Sequence, residues 1–513
     1  MGAQLKTMTP FRLTVGADAL DWPALDAALG RPLQIALAEA GLRRVRDCRA
    51  KVDALRGRDE PIYGVNTGFG HLKNKRIPAD RLEQLQHNLL ISHAVGVGPE
   101  TPAAIVRWML LFKINMLLRG HSGVRTELVD RLVAWLNADA LPVVPTRGSL
   151  GASGDLAPLA HLALPLIGRG EMVSPLGRMA SLETHRRLKL GEPLALASKE
   201  GLALINGTQF MSAYAANICV RAARLLDLAD LTLCMSLEGQ LGSVRPMDAR
   251  LHAARPHPGA IYVAEKVRRH MRDSEILGSH AQCGKVQDPY SLRCAPQVHG
   301  AVRDAFEHGR AVVGREINSV TDNPLIFDDD FISGGAFHGA PLAGVMDYLA
   351  IALTDLASIS ERRTYLLLLG QDDLPTLLMR DTGVNSGFMI PQYTAAALVN
   401  ECKVLATPAS VDTIPTSLGQ EDHVSMGATA ALKLYEVIDR AETVLAIEML
   451  CAAQAMDYRD PLRPGAGPAA ARDVIRATIP HAEEDREFGA DIQTCLKLLR
   501  ESEPLRRVAR GEA

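Results

Sequence analysis

The chain has 513 residues, 47% of them hydrophobic, yet only 3 are Trp, 9 Tyr and 10 Phe, so its apolar character comes mainly from Ala, Leu, Val and Ile. Lys and Arg number 56 against 59 Asp and Glu, a formal charge of −3, which excludes the global basic footprint that dominates nucleic-acid binding. Length alone allows about three domains or one elongated helical body. Eight scattered cysteines show no C-x-x-C spacing, which points to reduced thiols. The N-terminal Met1-Gly2-Ala3-Gln4-Leu5-Lys6 lacks an apolar signal core, so the expected location is the cytoplasm.

Residues 1–205 are broken by Gly and Pro and are expected to form an N-terminal globular region. Within it, Ile105, Met109, Phe112 and Met116 recur at helical spacing with Arg107 and Lys113 off that stripe, which predicts an amphipathic helix with one buried face. A second helix is predicted over 126–137, ending before Pro142 and Pro145. Long Ala/Leu-rich stretches follow at 211–237, 342–369, 392–405 and 426–456, each longer than the usual helix of about 11 residues. Residues 206–513 are therefore expected to form a bundle of long helices and C-terminal helices, making the protein mainly α. The longest apolar run, 342–359, is interrupted by Asp347 and Asp355, which a bilayer core would penalise. No membrane partner is expected. Loops rich in Gly, Asn, Ser and Pro lie at 63–70, 147–158, 278–296, 319–324, 332–341 and 381–392, and residues capable of chemistry concentrate there.

The most informative loop reads Arg147-Gly148-Ser149-Leu150-Gly151-Ala152-Ser153-Gly154-Asp155-Leu156-Ala157-Pro158. A phosphate cradle needs a following Gly-Lys-Ser/Thr, which is missing, and a nucleophile elbow needs Gly-x-Ser-x-Gly, whereas Gly154 directly follows Ser153. A flexible turn with Asp155 as the cap of the next helix is compatible with the residues. So is a further chemistry. In a tight bend the amide nitrogen of Gly154 can attack the carbonyl carbon of Ala152, because glycine has no Cβ in the way. Loss of the Ser153 hydroxyl as water then leaves a five-membered imidazolone with an exocyclic methylidene, an electrophile that no ordinary side chain supplies.

The stretch from Gly151 to Ala160 resembles the signature of the aromatic amino acid ammonia-lyases, in which the Ala-Ser-Gly triplet forms this group. The resemblance continues in matching order from about Ile62 to Arg459. It includes Tyr63-Gly64-Val65-Asn66-Thr67-Gly68, Ser92-His93, Asn206-Gly207-Thr208, Gln287-Asp288-Pro289-Tyr290-Ser291-Leu292-Arg293, Asn385-Ser386-Gly387-Phe388-Met389 and Gln420-Glu421-Asp422-His423. Within the family, the segments at 285–290 and 420–423 look most similar to the histidine ammonia-lyases.

The resemblance implies a fumarase/aspartase-like helical bundle, a homotetramer with active sites shared between subunits, and elimination of ammonia from L-histidine to trans-urocanate. It implies a 4-methylidene-imidazol-5-one formed from Ala152, Ser153 and Gly154, with no external cofactor. Tyr63 matches the base that removes the β-proton. Arg293 suits the substrate carboxylate, because its planar fork binds two oxygens at once. Asn206, Gln287 and Tyr290 match positions that hydrogen-bond the cyclised group or the substrate, and Phe337 matches an aromatic packed against that group. Asp155 is expected to assist cyclisation. His93 and Glu421 fall at the selectivity positions, where a carboxylate facing an imidazole accepts its N–H, while a phenyl ring would leave that carboxylate unpaired. Three departures from the family pattern stand near these residues: Ala336, Gly339-Ala340-Pro341, and Leu418-Gly419. The alternatives are a phenylalanine or tyrosine ammonia-lyase or an aminomutase with the same prosthetic group, or a catalytically silent helical scaffold. His93, His161, His338 and His423 lack metal-ligand spacing, and no metal is expected.

Overall fold

The computed structural model describes residues 9–54, 67, 77–328 and 330–512. The fold is mainly α, with helices distributed along the whole chain and only short strands. The chain divides into two compact units. The first contains Met1–Val220, Arg310–Asp347 and Pro408–Leu432, and the second Arg221–Gly309, Tyr348–Thr407 and Lys433–Ala513.

In the first unit, Phe11–Val15 pairs in parallel with Leu33–Leu37, and Val97–Glu100 pairs antiparallel with Pro145–Arg147. A three-stranded sheet joins Leu141–Pro142, Glu171–Ser174 and Gly177–Ala180, and Leu325–Phe327 pairs with Asp330–Ile332. The helix predicted over 126–137 is present as Thr126–Asn137. The Ala103–Leu117 helix differs from its amphipathic expectation, because every residue from Ile105 to Leu117 is buried, Arg107 and Lys113 included. A guanidinium and an ammonium tolerate this only with partners. Arg107 has Asp139 at 2.6 Å, and Lys113 donates to the carbonyls of Ala203 and Asn206 at 3.1 and 2.7 Å.

The long helices appear close to where their composition places them, as Gln209–Gly239, Ala340–Leu367, Met389–Leu405 and Gly427–Asp457. Gln209–Gly239 is buried or half-buried along its entire length, which explains why its apolar residues show no single face. In the second unit Leu233, Leu237, Val263, Val267, Leu292 and Ile359 form one apolar cluster. Beside it runs a buried ionic chain. Arg363 donates to Glu448 at 2.8 Å, both side chains being fully buried, and Ser236 and Ser360 donate to the same carboxylate at 2.7 and 2.6 Å.

Ala340–Leu367 is the one helix among the described residues long and apolar enough to cross a membrane, and 61% of its apolar window is buried inside the protein. Asp347, on this helix and 3% exposed, accepts the backbone N–H groups of Ala409 and Ser410 at 2.8 and 2.7 Å. Most of its apolar length is thus taken up by the protein's own core.

Candidate active site

The strand Pro145–Arg147 delivers the chain into the glycine-rich loop, and the helix Leu156–Ala163 carries it away. Gly151 and Gly154 both take φ near +77°, at 77° and 78°, a region costly for any residue with a Cβ. A Cβ at Gly154 would stand 2.1 Å from the Gly207 carbonyl oxygen, and one at Gly151 2.1 Å from Ser425 Oγ. The Gly207 N–H donates to Ser153 O at 3.4 Å, and the Asp155 N–H donates to Gly207 O at 2.8 Å. Ser149 Oγ donates to Gly154 O at 3.4 Å. The backbone on both sides of Ser153 is thus clamped by neighbours that leave room only for glycine.

Asp155 begins the next helix, as the turn reading expects, but its carboxylate caps a different one. Asp155 Oδ2 accepts the Met211 N–H at 3.0 Å, at the start of Gln209–Gly239. Its own helix receives no side-chain cap. The carboxyl is fully buried, Oδ1 has no hydrogen-bond partner among the described residues, and burial pushes its pKa up to about 7. A clamped Ala-Ser-Gly turn and a buried acid with an unsatisfied oxygen beside it fit a loop that closes on itself and sheds water.

Around this loop lies a buried polar layer. Lys199 Nζ donates to Asp322 Oδ2 at 2.6 Å with both side chains fully buried. Asn206 Nδ2 donates to Asp322 Oδ1 at 3.2 Å and to Asn323 O at 2.9 Å. Thr208 Oγ1 donates to Glu316 at 2.6 Å, and burial raises the Glu316 pKa. Burial also draws the Lys113 pKa down to about 7, against the opposing pull of Asp322 and Asp155.

The segment carrying Glu421 docks on the same loop. Met426 N–H donates to Leu150 O at 2.9 Å, and Ser425 Oγ donates to Gly151 O at 3.4 Å. Thr416 and Glu421 close a short antiparallel bridge, and Thr416 Oγ1 donates to Glu421 Oε2 at 2.9 Å. Between them Ser417, Leu418 and Gly419 all have positive φ. The departure Leu418-Gly419 is therefore the turn that sets Glu421 in place. His93 ends the Leu82–His93 helix, half-buried, with Nδ1 3.0 Å from Ser92 Oγ. Burial lowers its pKa, while a backbone contact with Leu89 and the charge of Glu421 raise it. Three residues on, Gly96 N–H donates to His161 Nε2 at 3.0 Å, and a Cβ there would approach Arg147 O at 3.3 Å.

Phe337 is half-buried on a loop tied down at both ends. Gly334 N–H and Ser333 Oγ donate to Asn323 Oδ1 at 2.7 and 3.2 Å. The His338 ring stacks on that of His423, centroids 6.0 Å apart. A Cβ at Gly339 would lie 2.5 Å from the end of Met211 and 3.0 Å from Ser425 Oγ, so that departure from the family pattern is a position of close packing.

The second unit holds Gln287, Tyr290 and Arg293. Arg293 Nε donates to Asp288 O at 3.0 Å, and its guanidinium carbon lies 4.4 Å from the centre of the Tyr290 ring. Asp288 in turn accepts the Ser243 N–H at 2.7 Å, and Arg363 donates to Ser291 O at 3.4 Å. Tyr290 is 70% exposed and Gln287 is exposed. Tyr63 lies outside the described residues. The structure thus groups the Ala-Ser-Gly loop, His93, Asn206, Phe337 and Glu421 in one unit, and Gln287, Tyr290 and Arg293 in the other. Among the described residues no group of His, Cys, Asp or Glu is arranged to hold a metal ion.

Residues 20–477 match the profile of the aromatic amino acid lyases. The chain belongs to this family. It is 48% identical over 505 residues to a histidine ammonia-lyase from Myxococcus xanthus, covering 98% of this chain and 99% of that protein. The crystal structure of histidine ammonia-lyase from Trypanosoma cruzi superposes with a TM-score of 0.90 at 38% identity, covering 98% of this chain and 96% of that one. A tyrosine aminomutase from Streptomyces globisporus superposes with a TM-score of 0.91 at 34% identity, covering 98% and 99%. The family fold is therefore common to lyases and aminomutases, and substrate preference has to come from individual side chains.

Proposed function

We propose that this aromatic amino acid lyase is a cytoplasmic histidine ammonia-lyase of histidine degradation, converting L-histidine to trans-urocanate and ammonia without oxidation. The observation that carries the reading is the placement of Glu421, whose charge acts on His93 and whose segment docks on the Ala152-Ser153-Gly154 loop. A carboxylate beside an imidazole suits a substrate that brings an imidazole N–H, and is unpaired against a phenyl ring. The names borne by the Myxococcus and Trypanosoma relatives agree with it.

The prosthetic group is read as the chain's own. The Gly154 nitrogen adds to the Ala152 carbonyl carbon, whose oxygen leaves as water with the amide hydrogens of Gly154 and Ser153, and a double bond forms from that carbon to the Ser153 nitrogen. Ser153 then loses its Cα hydrogen and its hydroxyl as a second water, leaving a carbon–carbon double bond. The clamped turn, the two glycines and buried Asp155 support this reading. Once formed, the group supplies an electrophilic carbon that draws electrons from the substrate and turns ammonia into a better leaving group.

The side chains divide the remaining work. Arg293 holds the substrate carboxylate with its fork. Glu421 and His93 hold the imidazole ring, and Phe337 closes an apolar wall. Tyr63 takes the β-proton. Both N–H bonds of Asn206 Nδ2 are already given to Asp322 and Asn323, so Asn206 offers Oδ1, an acceptor suited to the substrate ammonium. Gln287 and Tyr290 supply donors for negative charge that develops during elimination.

A homotetramer fits the surface of the long helices. Tyr348, Ile351 and Tyr365 form an exposed stripe on Ala340–Leu367, and Ile390, Tyr393 and Val404 stand out from Met389–Leu405. Apolar faces of this kind mark association surfaces. The deciding test is a panel of L-histidine, L-phenylalanine and L-tyrosine on purified protein. Urocanate from histidine at a kcat/KM far above the other two is expected. Cinnamate, coumarate or a β-amino acid as the main product overturns the reading in favour of a phenylalanine or tyrosine lyase or an aminomutase.

A further inference from the structure

Lys113 is a fully buried cation that none of the substrate-binding or proton-transfer roles above employs. It sits in the apolar run Trp108-Met109-Leu110-Leu111-Phe112-Lys113-Ile114, and its Nζ donates to Asn206 O at 2.7 Å and Ala203 O at 3.1 Å. These are carbonyls at the C-terminal end of the Glu200–Ile205 helix, where backbone acceptors are left over and a positive charge is favoured. The carbonyl of Asn206 and the N–H of Gly207 belong to one planar peptide group. That N–H donates to Ser153 O at 3.4 Å. The Ser153 carbonyl and the Gly154 nitrogen again share one peptide plane, so the orientation of the attacking nitrogen is tied through two rigid planes to the Lys113 ammonium. Gly207 itself has little freedom to compensate, since it takes φ 112° and a Cβ on it would lie 2.6 Å from Gln209 Oε1 and 2.7 Å from Thr321 Oγ1.

We propose that Lys113 is a positioning residue for prosthetic-group formation, fixing the Asn206–Gly207 peptide so that it holds Ser153 and aims the Gly154 nitrogen at the Ala152 carbonyl carbon. This rests on the reading that Ala152, Ser153 and Gly154 cyclise. Its signature is a defect in maturation in a protein that is otherwise folded.

The test follows intact mass with time on freshly synthesised full-length protein, because cyclisation with dehydration removes roughly 36 Da. Wild type, Lys113→Met, Lys113→Gln and Arg107→Met are compared, with folding checked by circular dichroism and thermal melting. Arg107→Met breaks a buried ion pair on the same helix and reports what loss of a buried charge does by itself. Wild type and folded Arg107→Met are expected to lose the full mass, the latter at a lowered Tm. Lys113→Met is expected to fold and mature at least tenfold more slowly. Gln is one atom shorter than Lys and carries no charge, so Lys113→Gln is expected to show the same slowing and carries the test should the Met variant not fold. Wild-type maturation in either folded Lys113 variant overturns the proposal. An unshifted wild-type mass overturns the cyclisation reading beneath it, so the two failures are distinguishable.

Discussion

Replacing Glu421 by Gln removes one charge and almost nothing else. Thr416 Oγ1 donates to Glu421 Oε2 at 2.9 Å and the Thr416 N–H donates to Glu421 O at 2.9 Å. A glutamine keeps the backbone bridge and still offers a carbonyl oxygen to Thr416, so Tm is expected to stay nearly unchanged. A hydrogen bond to a charged group contributes about 1.5–3 kcal/mol and a neutral one about 0.5–1.5. The substrate imidazole therefore loses about 1–1.5 kcal/mol of holding energy, and kcat/KM for L-histidine falls about 5- to 13-fold. For L-phenylalanine the sign reverses, because the variant no longer strips a carboxylate of water against an apolar ring. His93 supplies an independent readout. Glu421 opposes the burial that lowers the His93 pKa, so the variant's His93 titrates lower still by NMR. The assay is kcat/KM for both amino acids on the same preparations. An unchanged histidine-to-phenylalanine ratio in the folded variant refutes the role given to Glu421.

Gly154→Ala places a Cβ 2.1 Å from Gly207 O at φ 78°; it is expected to lower Tm and to abolish the loss of roughly 36 Da, and a matured, fully active variant contradicts the clamped turn. Asp155 supplies a pH signature. Its folded pKa of about 7 lies above the ordinary carboxyl value, so between about pH 4 and pH 7 the unfolded chain releases this proton first and stability falls as pH rises, by an amount on the order of 4 kcal/mol. Asp155→Asn keeps an acceptor for Met211 and flattens that slope in urea titrations at several pH values; an identical slope in variant and wild type rules Asp155 out as its source. Shared sites predict complementation. Tyr63→Phe and Ser153→Ala, each inactive alone, regain part of the activity when refolded together, and verified mixed oligomers that stay inactive exclude sites built from more than one chain.

The long helices were readable because Ala and Leu dominate whole segments, and packing on all sides needs no polar stripe to reveal it. Arg107 and Lys113 were not, since spacing alone cannot tell a solvated cation from a buried one. Asp139, which pairs Arg107, lies 32 residues away, and the acceptors of Lys113 are main-chain carbonyls with no side-chain identity. The signal that was available is local: Lys113 and Asn115 have apolar neighbours on both sides, which no surface face explains. Asp155 was legible as a helix start, but its partner Met211 becomes visible only when the Gln209–Gly239 helix is seen to begin beside it. The Ala-Ser-Gly loop stands out by its own order of small residues, and the other motif residues through their resemblance to the family. The clamp on that loop, formed by Gly207 and Ser425, depends on contacts between segments distant in the chain.

The proposed elimination is tested most directly by measuring urocanate and ammonia together in one sample of purified wild-type protein given L-histidine. Equal amounts of the two products are predicted, with none from Ser153→Ala. A folded protein whose mass shows the lost waters, yet which forms neither product from L-histidine, contradicts it.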